Sequence, residues 1–138
     1  MKSDQLNKLV ALADAQKARD LAVLESALAE DRRLEQEINE MSKIIAQDMT
    51  DGDFSEMPYS QFALRLQWAD HRVSEAAARR EALSDKIRKL RSLAAISLGK
   101  HSALEKLSER AEKQKREFRE ARTDRETPTG PPPRTDLG

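Results

Sequence analysis

Apolar residues in the second half of the chain recur at alternating steps of three and four. From Tyr59 the ladder passes through Phe62, Leu66, Ala69, Val73, Ala76, Arg80, Leu83, Ile87, Leu90, Ala94, Ser97, His101, Leu104, Ser108, Ala111, Lys115 and Phe118. Thirteen of these eighteen positions are apolar, against 38% of the whole chain. A 3.5-residue period keeps one stripe of a helix turned toward one partner, which is the requirement of a coiled coil. A shorter ladder precedes it: Leu6, Val10, Ala13, Lys17, Leu21, Leu24, Leu28, Asp31, Leu34, Ile38, Met41, Ile45 and Met49. Its mean step is about 3.6, so the supercoil is expected to be weak there.

These patterns predict an all-α fold, a long antiparallel two-helix coiled-coil hairpin with a disordered C-terminal tail. Helix one is placed at about 3–49, with Ser3 or Asp4 as N-cap. The segment TDGDFSE has a glycine, three acids and no periodicity, so 50–57 is expected to be a turn. Helix two, opened by Ser55 or by Met57 with Pro58 at the first helical position, is placed at about 58–123. The tail from 124 to 138 includes TPTGPPPRTDLG, whose four prolines cannot sustain a helix.

A turn centred near residue 53 implies that facing residues sum to roughly 107. Leu24 would then meet Leu83, and Leu6 would meet His101. At about 1.5 Å per residue the paired part spans roughly 65 Å. Helix two would overhang from His101 to Thr123, leaving Leu104, Ala111 and Phe118 without a partner inside the chain. Asp31 and Arg80 both lie on the seam and sum to 111, so they are expected to pair and fix the register.

Charge reinforces the hairpin. Of the 138 residues, 36% are charged and 4% aromatic, a balance suited to a helix with a narrow apolar seam. Residues 1–57 carry seven Lys/Arg against thirteen Asp/Glu, and residues 58–138 carry eighteen against twelve. An acidic first helix facing a basic second one attracts itself. Acids interrupt the basic half (Glu105, Glu109, Glu112, Glu117, Glu120), which argues against a continuous track for nucleic acid phosphates.

Catalytic chemistry is not indicated. There is no cysteine, no glycine-rich phosphate loop and no serine elbow. His71 and His101 sit thirty residues apart on one helix, roughly 45 Å by helical rise, so they cannot share a metal. The expectation is a non-enzymatic protein with no cofactor, no metal site and no nucleic acid partner. Met1-Lys2-Ser3-Asp4 leads into charged helix without an apolar run, which predicts a cytoplasmic protein with no signal peptide or membrane span.

Binding surfaces therefore carry the function. At the head of helix two, Tyr59, Phe62, Leu66 and Ala69 lie on the seam, whereas Met57, Gln61, Leu64 and Trp68 form a second stripe pointing away from it. An outward Trp68 one turn from Leu64 is an apolar patch on a charged helix, either an interface anchor or a ring lying over the stems of Arg65 and Arg72. A second constellation is LRSLAAISLG from Leu90 to Gly99. Leu93 and Ile96, with Leu107, lie off the main seam, and Leu9 and Leu12 face them under the expected register. A broader core at the open end is the expected result.

The motif Tyr59-x-Gln61-Phe62-x-x-x-Leu66-x-x-Ala69, the run LNKLVALADAQKARDLAVLESALAEDRR and the later EKLSERAEKQKRE resemble the stalk proteins of the flagellar type III export apparatus (FliJ-like, with YscO-like injectisome counterparts). That resemblance implies an antiparallel two-helix stalk seated in a hexameric export ATPase. It also implies contact with the membrane export gate protein and with escort chaperones, and so peripheral association with the inner-membrane export apparatus. The gate contact maps to Tyr59, Gln61, Phe62 and Leu66. A histidine that some members carry further along this face is replaced by Val73, and the nearby histidine is His71. Leu64, Trp68, Leu104 and Phe118 complete the expected protein-binding set. The other function class compatible with the seam is a generic coiled-coil scaffold or dimerisation protein.

Overall fold

The structure is a computed structural model, and it describes residues 3–51 and 59–126. All of them are helical: α1 spans Ser3–Asp51 and α2 spans Tyr59–Glu126. The expected helix bounds hold to within three residues at each end. Helix α1 runs two residues beyond expectation, and in its last turn Thr50 Oγ1 donates back to the Ala46 carbonyl at 2.9 Å. Helix α2 continues three residues past Thr123, where Thr123 Oγ1 bonds the Arg119 carbonyl at 2.8 Å. The expected turn residues from Gly52 to Met57, Pro58 at the first helical position and the Pro-rich tail from Thr127 lie outside the described residues.

Both helices contribute to each of two compact units, one formed by 18–96 and the other by 1–17 with 97–138. In the first unit, Ala27, Leu34, Ala76, Leu83 and Ile87 form the buried core, with Leu24, Leu28, Ile38 and Leu90 packed around it. In the second, Leu6, Ala13, Ser97 and His101 are buried. Within each unit the helices run antiparallel, as the contacts below require.

Every buried or half-buried residue described in α2 falls on the ladder from Phe62 to Ala111. Helix α1 departs from its expected ladder. Its covered positions include Ser3, Leu6, Val10, Ala13, Lys17, Asp20, Leu24, Ala27, Asp31, Leu34, Ile38, Met41, Ile45 and Asp48, a strict heptad. Asp20, Ala27 and Asp48 thus occupy the seam, while Leu21 and Met49 are exposed and Leu28 sits half-buried at its edge. Two helices packed side by side must share one period, and the strict 3.5 repeat of α2 holds α1 to it. Small residues on the seam then face large ones, Ala27 and Ala76 lying in one cluster with Leu83 and Leu34. We expect Leu21→Gln to leave the melting temperature almost unchanged. Ala27→Gln should lower it by several degrees, about 2 kcal/mol of overpacking and unmet amide bonding. The opposite order in a thermal melt would restore the 3.6-residue pattern.

The register also differs from expectation. In the unit formed by 18–96, Asp31 pairs with Arg80, Glu37 with Arg72 and Asp48 with Arg65. These pairs sum to between 109 and 113, not 107. In the other unit, Asn7 meets Ser108 and Asp14 meets His101, pairs that sum to 115. Because α1 persists through Asp51 and α2 starts at Tyr59, the midpoint of the connection falls near residue 55 rather than 53. His101 accordingly faces Asp14 and Lys17 instead of Leu6.

Candidate functional site

The head of α2 separates into two faces. Phe62 and Leu66 are half-buried and Ala69 is buried, all on the seam toward α1. Tyr59, on the same ladder, is 80% exposed. Gln61 is exposed, Leu64 is 65% exposed and Trp68 is 52% exposed. The expected outward patch is therefore present from Gln61 to Trp68, and Met57 lies outside the described residues. A shallow groove beside it is lined by Leu64, Gln67, Trp68, His71 and Ser74.

The ring of Trp68 is neither fully open nor fully covered. The Arg72 guanidinium carbon stands 5.8 Å from the ring centroid, a cation–π distance, while Arg72 Nη2 reaches Glu37 Oε1 at 2.6 Å. One face of the indole is thus backed by a charge that α1 holds in place, and the remainder faces solvent. Arg65 turns its charge to α1. Its Nε lies 3.1 Å from Asp48 Oδ2 but off the N–H direction, so the contact is an ion pair without a hydrogen bond. A backed, half-exposed aromatic is held ready for contact at little entropic cost.

Farther along α2, Arg80 Nε donates to Asp31 Oδ1 at 2.9 Å and Arg80 Nη2 stands 3.5 Å from Glu35 Oε2. The expected Asp31–Arg80 pair is therefore formed. The Asp31 hydrogen bond raises the guanidinium above its ordinary range; desolvation opposes this, and the charges of Asp31 and Glu35 add to it. Stability from such a raised group is complete below its unfolded value and fades only as pH rises through the higher folded one. The guanidinium therefore keeps its charge except in strongly alkaline solution.

His101 is buried, because α1 covers it. Lys17 Nζ lies 3.5 Å from its Nδ1, and Glu105 Oε1 lies 3.0 Å from Nε2. Ammonium can only donate, so Nδ1 accepts and the proton of a neutral ring sits on Nε2, directed at Glu105. Asp14 Oδ1 lies 3.5 Å from the same Nε2. This polar layer is structural in its geometry. No group of side chains able to hold a metal occurs among the described residues.

Two expectations are overturned, one in the unit of 1–17 and 97–138 and one that also drew on Leu93 and Ile96 of the other unit. Leu104 and Ala111 are half-buried, Ser108 Oγ donates to Asn7 Oδ1 and Ser3 Oγ donates to Glu112 Oε1, both at 3.1 Å. The overhang therefore begins after Glu112, not at His101, and of its expected seam residues only Phe118 remains uncovered, at 69% exposure. The shifted register supplies those partners. The broader apolar core is not formed either, since Leu12, Leu93, Ile96, Leu98 and Leu107 are all at least half exposed. Those residues fall beside the strict heptad rather than on it, where a single straight partner cannot cover them. Their exposure is a signal that the sequence carried and the expected register hid.

The chain matches no protein-family model, and comparisons with curated proteins and with solved structures found no match. No described helix is long and apolar enough to cross a membrane.

Proposed function

We propose that this chain is a non-enzymatic stalk of the flagellar type III protein export apparatus, a cytoplasmic component that links a hexameric export ATPase to the membrane export gate and assists escort chaperones. The observation that carries this reading is the exposed Gln61–Leu64–Trp68 patch, which lies among Tyr59, Gln61, Phe62 and Leu66, the positions to which the resemblance to export stalks assigns the gate contact. Such a patch on a two-helix coiled coil serves a partner rather than the chain's own core. Tyr59, Gln61, Leu64 and Trp68 are the open members of that contact. Phe62 and Leu66 shape it from the seam. The second contact, toward the ATPase, falls to the exposed end of α2 that bears Phe118.

Co-purification of the tagged chain with the export ATPase and with the gate protein tests the assignment. Recovery of neither would end it. A concentration-independent monomer by light scattering is expected of a stalk, whereas a dimer held through the seam would support the scaffold class. Trp68→Ala should leave helicity and melting nearly unchanged while weakening gate binding by about 2 kcal/mol. A large drop in melting temperature would instead make Trp68 a structural residue.

A further inference from the structure

Beyond Glu112 the seam of α2 changes its chemistry. Ala111 is the last half-buried residue, and every side chain from Glu112 to Arg125 is exposed while the helix continues. Carrying the heptad forward, the face that points at α1 earlier in the helix bears Lys115, Phe118, Arg119, Arg122 and Arg125. Glu117, Glu120 and Asp124 fall on the other side. Charges scattered for solubility would not sort in phase with the seam. Here four of the six cations from Lys113 to Arg125 lie on the seam side around Phe118, Lys113 and Arg116 lie behind, and all three acids of that stretch lie behind as well.

These cations are not all answered within the helix. Arg119 has Lys115, Arg116, Arg122 and Thr123 at the three- and four-residue positions where a helical ion pair forms, so no acid can reach it along its own helix. Arg122 already has an interaction within the chain, and the argument rests on Lys115, Phe118 and Arg119. We infer that this face binds an acidic amphipathic helix of another protein, whose carboxylates meet Lys115 and Arg119 and whose apolar stripe covers Phe118.

Charge selects among the occupants. A second copy of this segment would set Lys115 and Arg119 against their own kind. Residues 127–138 offer one arginine, one aspartate and four prolines, so they are neither acidic nor able to form a helix. A nucleic acid would meet Glu117, Glu120 and Asp124 as it followed the helix, and would gain nothing from the heptad phase of Phe118. A helix with acidic flanks satisfies both the charge and the period. This inference rests on the docking role given above to the end of α2 and names the chemistry of what docks there.

The test uses the full-length chain and a fluorescent peptide of about three heptads, with leucine on its seam and glutamate flanking it. Fluorescence anisotropy should show binding at least about tenfold tighter than to a scrambled peptide of the same composition, weakening as salt rises. Phe118→Ser should weaken it by about tenfold. Lys115→Glu with Arg119→Glu should abolish it and create binding to the matching peptide with lysine flanks. All three residues are exposed, so circular dichroism should be unchanged in both variants. Equal binding of the scrambled peptide, tighter binding of a single-stranded oligonucleotide, or a dimer of the chain lost on Phe118→Ser would each overturn the inference. Export ATPase that still co-purifies with the charge-reversed chain would remove the acidic-helix inference and leave the export reading standing. Peptide binding without ATPase co-purification would do the reverse.

Discussion

Leu34→Ala should be among the most damaging single substitutions in the chain. Leu34 is the largest fully buried side chain, 2% exposed, in a core whose other deeply buried members include Ala27 and Ala76. Those neighbours are already small and stand on helices that cannot close around a void, so the cavity would persist. Truncating a buried leucine costs about 2–5 kcal/mol, set largely by how well the site collapses. A seam one residue wide buries little in total, so this is a large share of the available stability. Thermal melts by circular dichroism should show the midpoint falling by ten degrees or so, with Leu12→Ala as a near-silent control because Leu12 is exposed. A Leu34→Ala melt close to that control would mean that the core lies elsewhere.

Reversing the Asp31–Arg80 pair is the second expected large effect. Asp31→Arg sets two guanidiniums against each other across the seam. Arg80→Asp places a carboxylate near both Asp31 and Glu35, which now share one arginine. Each single reversal should lower the melting midpoint by several degrees at low salt, and the double reversal should recover at least half of the summed loss. The remaining deficit comes from Glu35, which would repel an aspartate at position 80, offset in part by its four-residue spacing from an arginine at 31. Purely additive single effects in the double-mutant cycle would show that the pair does not couple the helices. Raising salt should shrink the single-variant losses, since both side chains are partly open to solvent.

Much of this architecture was legible because the heptad signal of α2 is dense. Leu66, Ala69, Val73, Ala76, Leu83, Ile87, Leu90 and Ala94 leave no other face for a partner, and each is covered. The helix bounds followed from the loss of period around Gly52 and the prolines after Glu126. The outward position of Leu64 and Trp68 followed from 100° per residue alone. Asp31 and Arg80 could be matched because a charged residue on a seam needs its opposite.

What the sequence left open belongs to α1, to the register and to the site's detail. Leu21 and Leu28 outweigh Asp20 and Ala27 on any scale of hydrophobicity, yet Asp20 and Ala27 lie on the seam, because the partner's period decides which stripe is covered. Nothing local states that period. Register depends on where α1 stops and α2 starts, and helix continuing to Asp51 moves the midpoint of the connection from near 53 to near 55. That shift buried His101 against Lys17, gave Leu104 and Ala111 their cover, and left Phe118 bare. The arginine backing Trp68 likewise required Glu37 from the other helix. Periodicity is written residue by residue along one strand of chain and so can be read from it. Register and coverage are relations between two strands, and only their packing decides them.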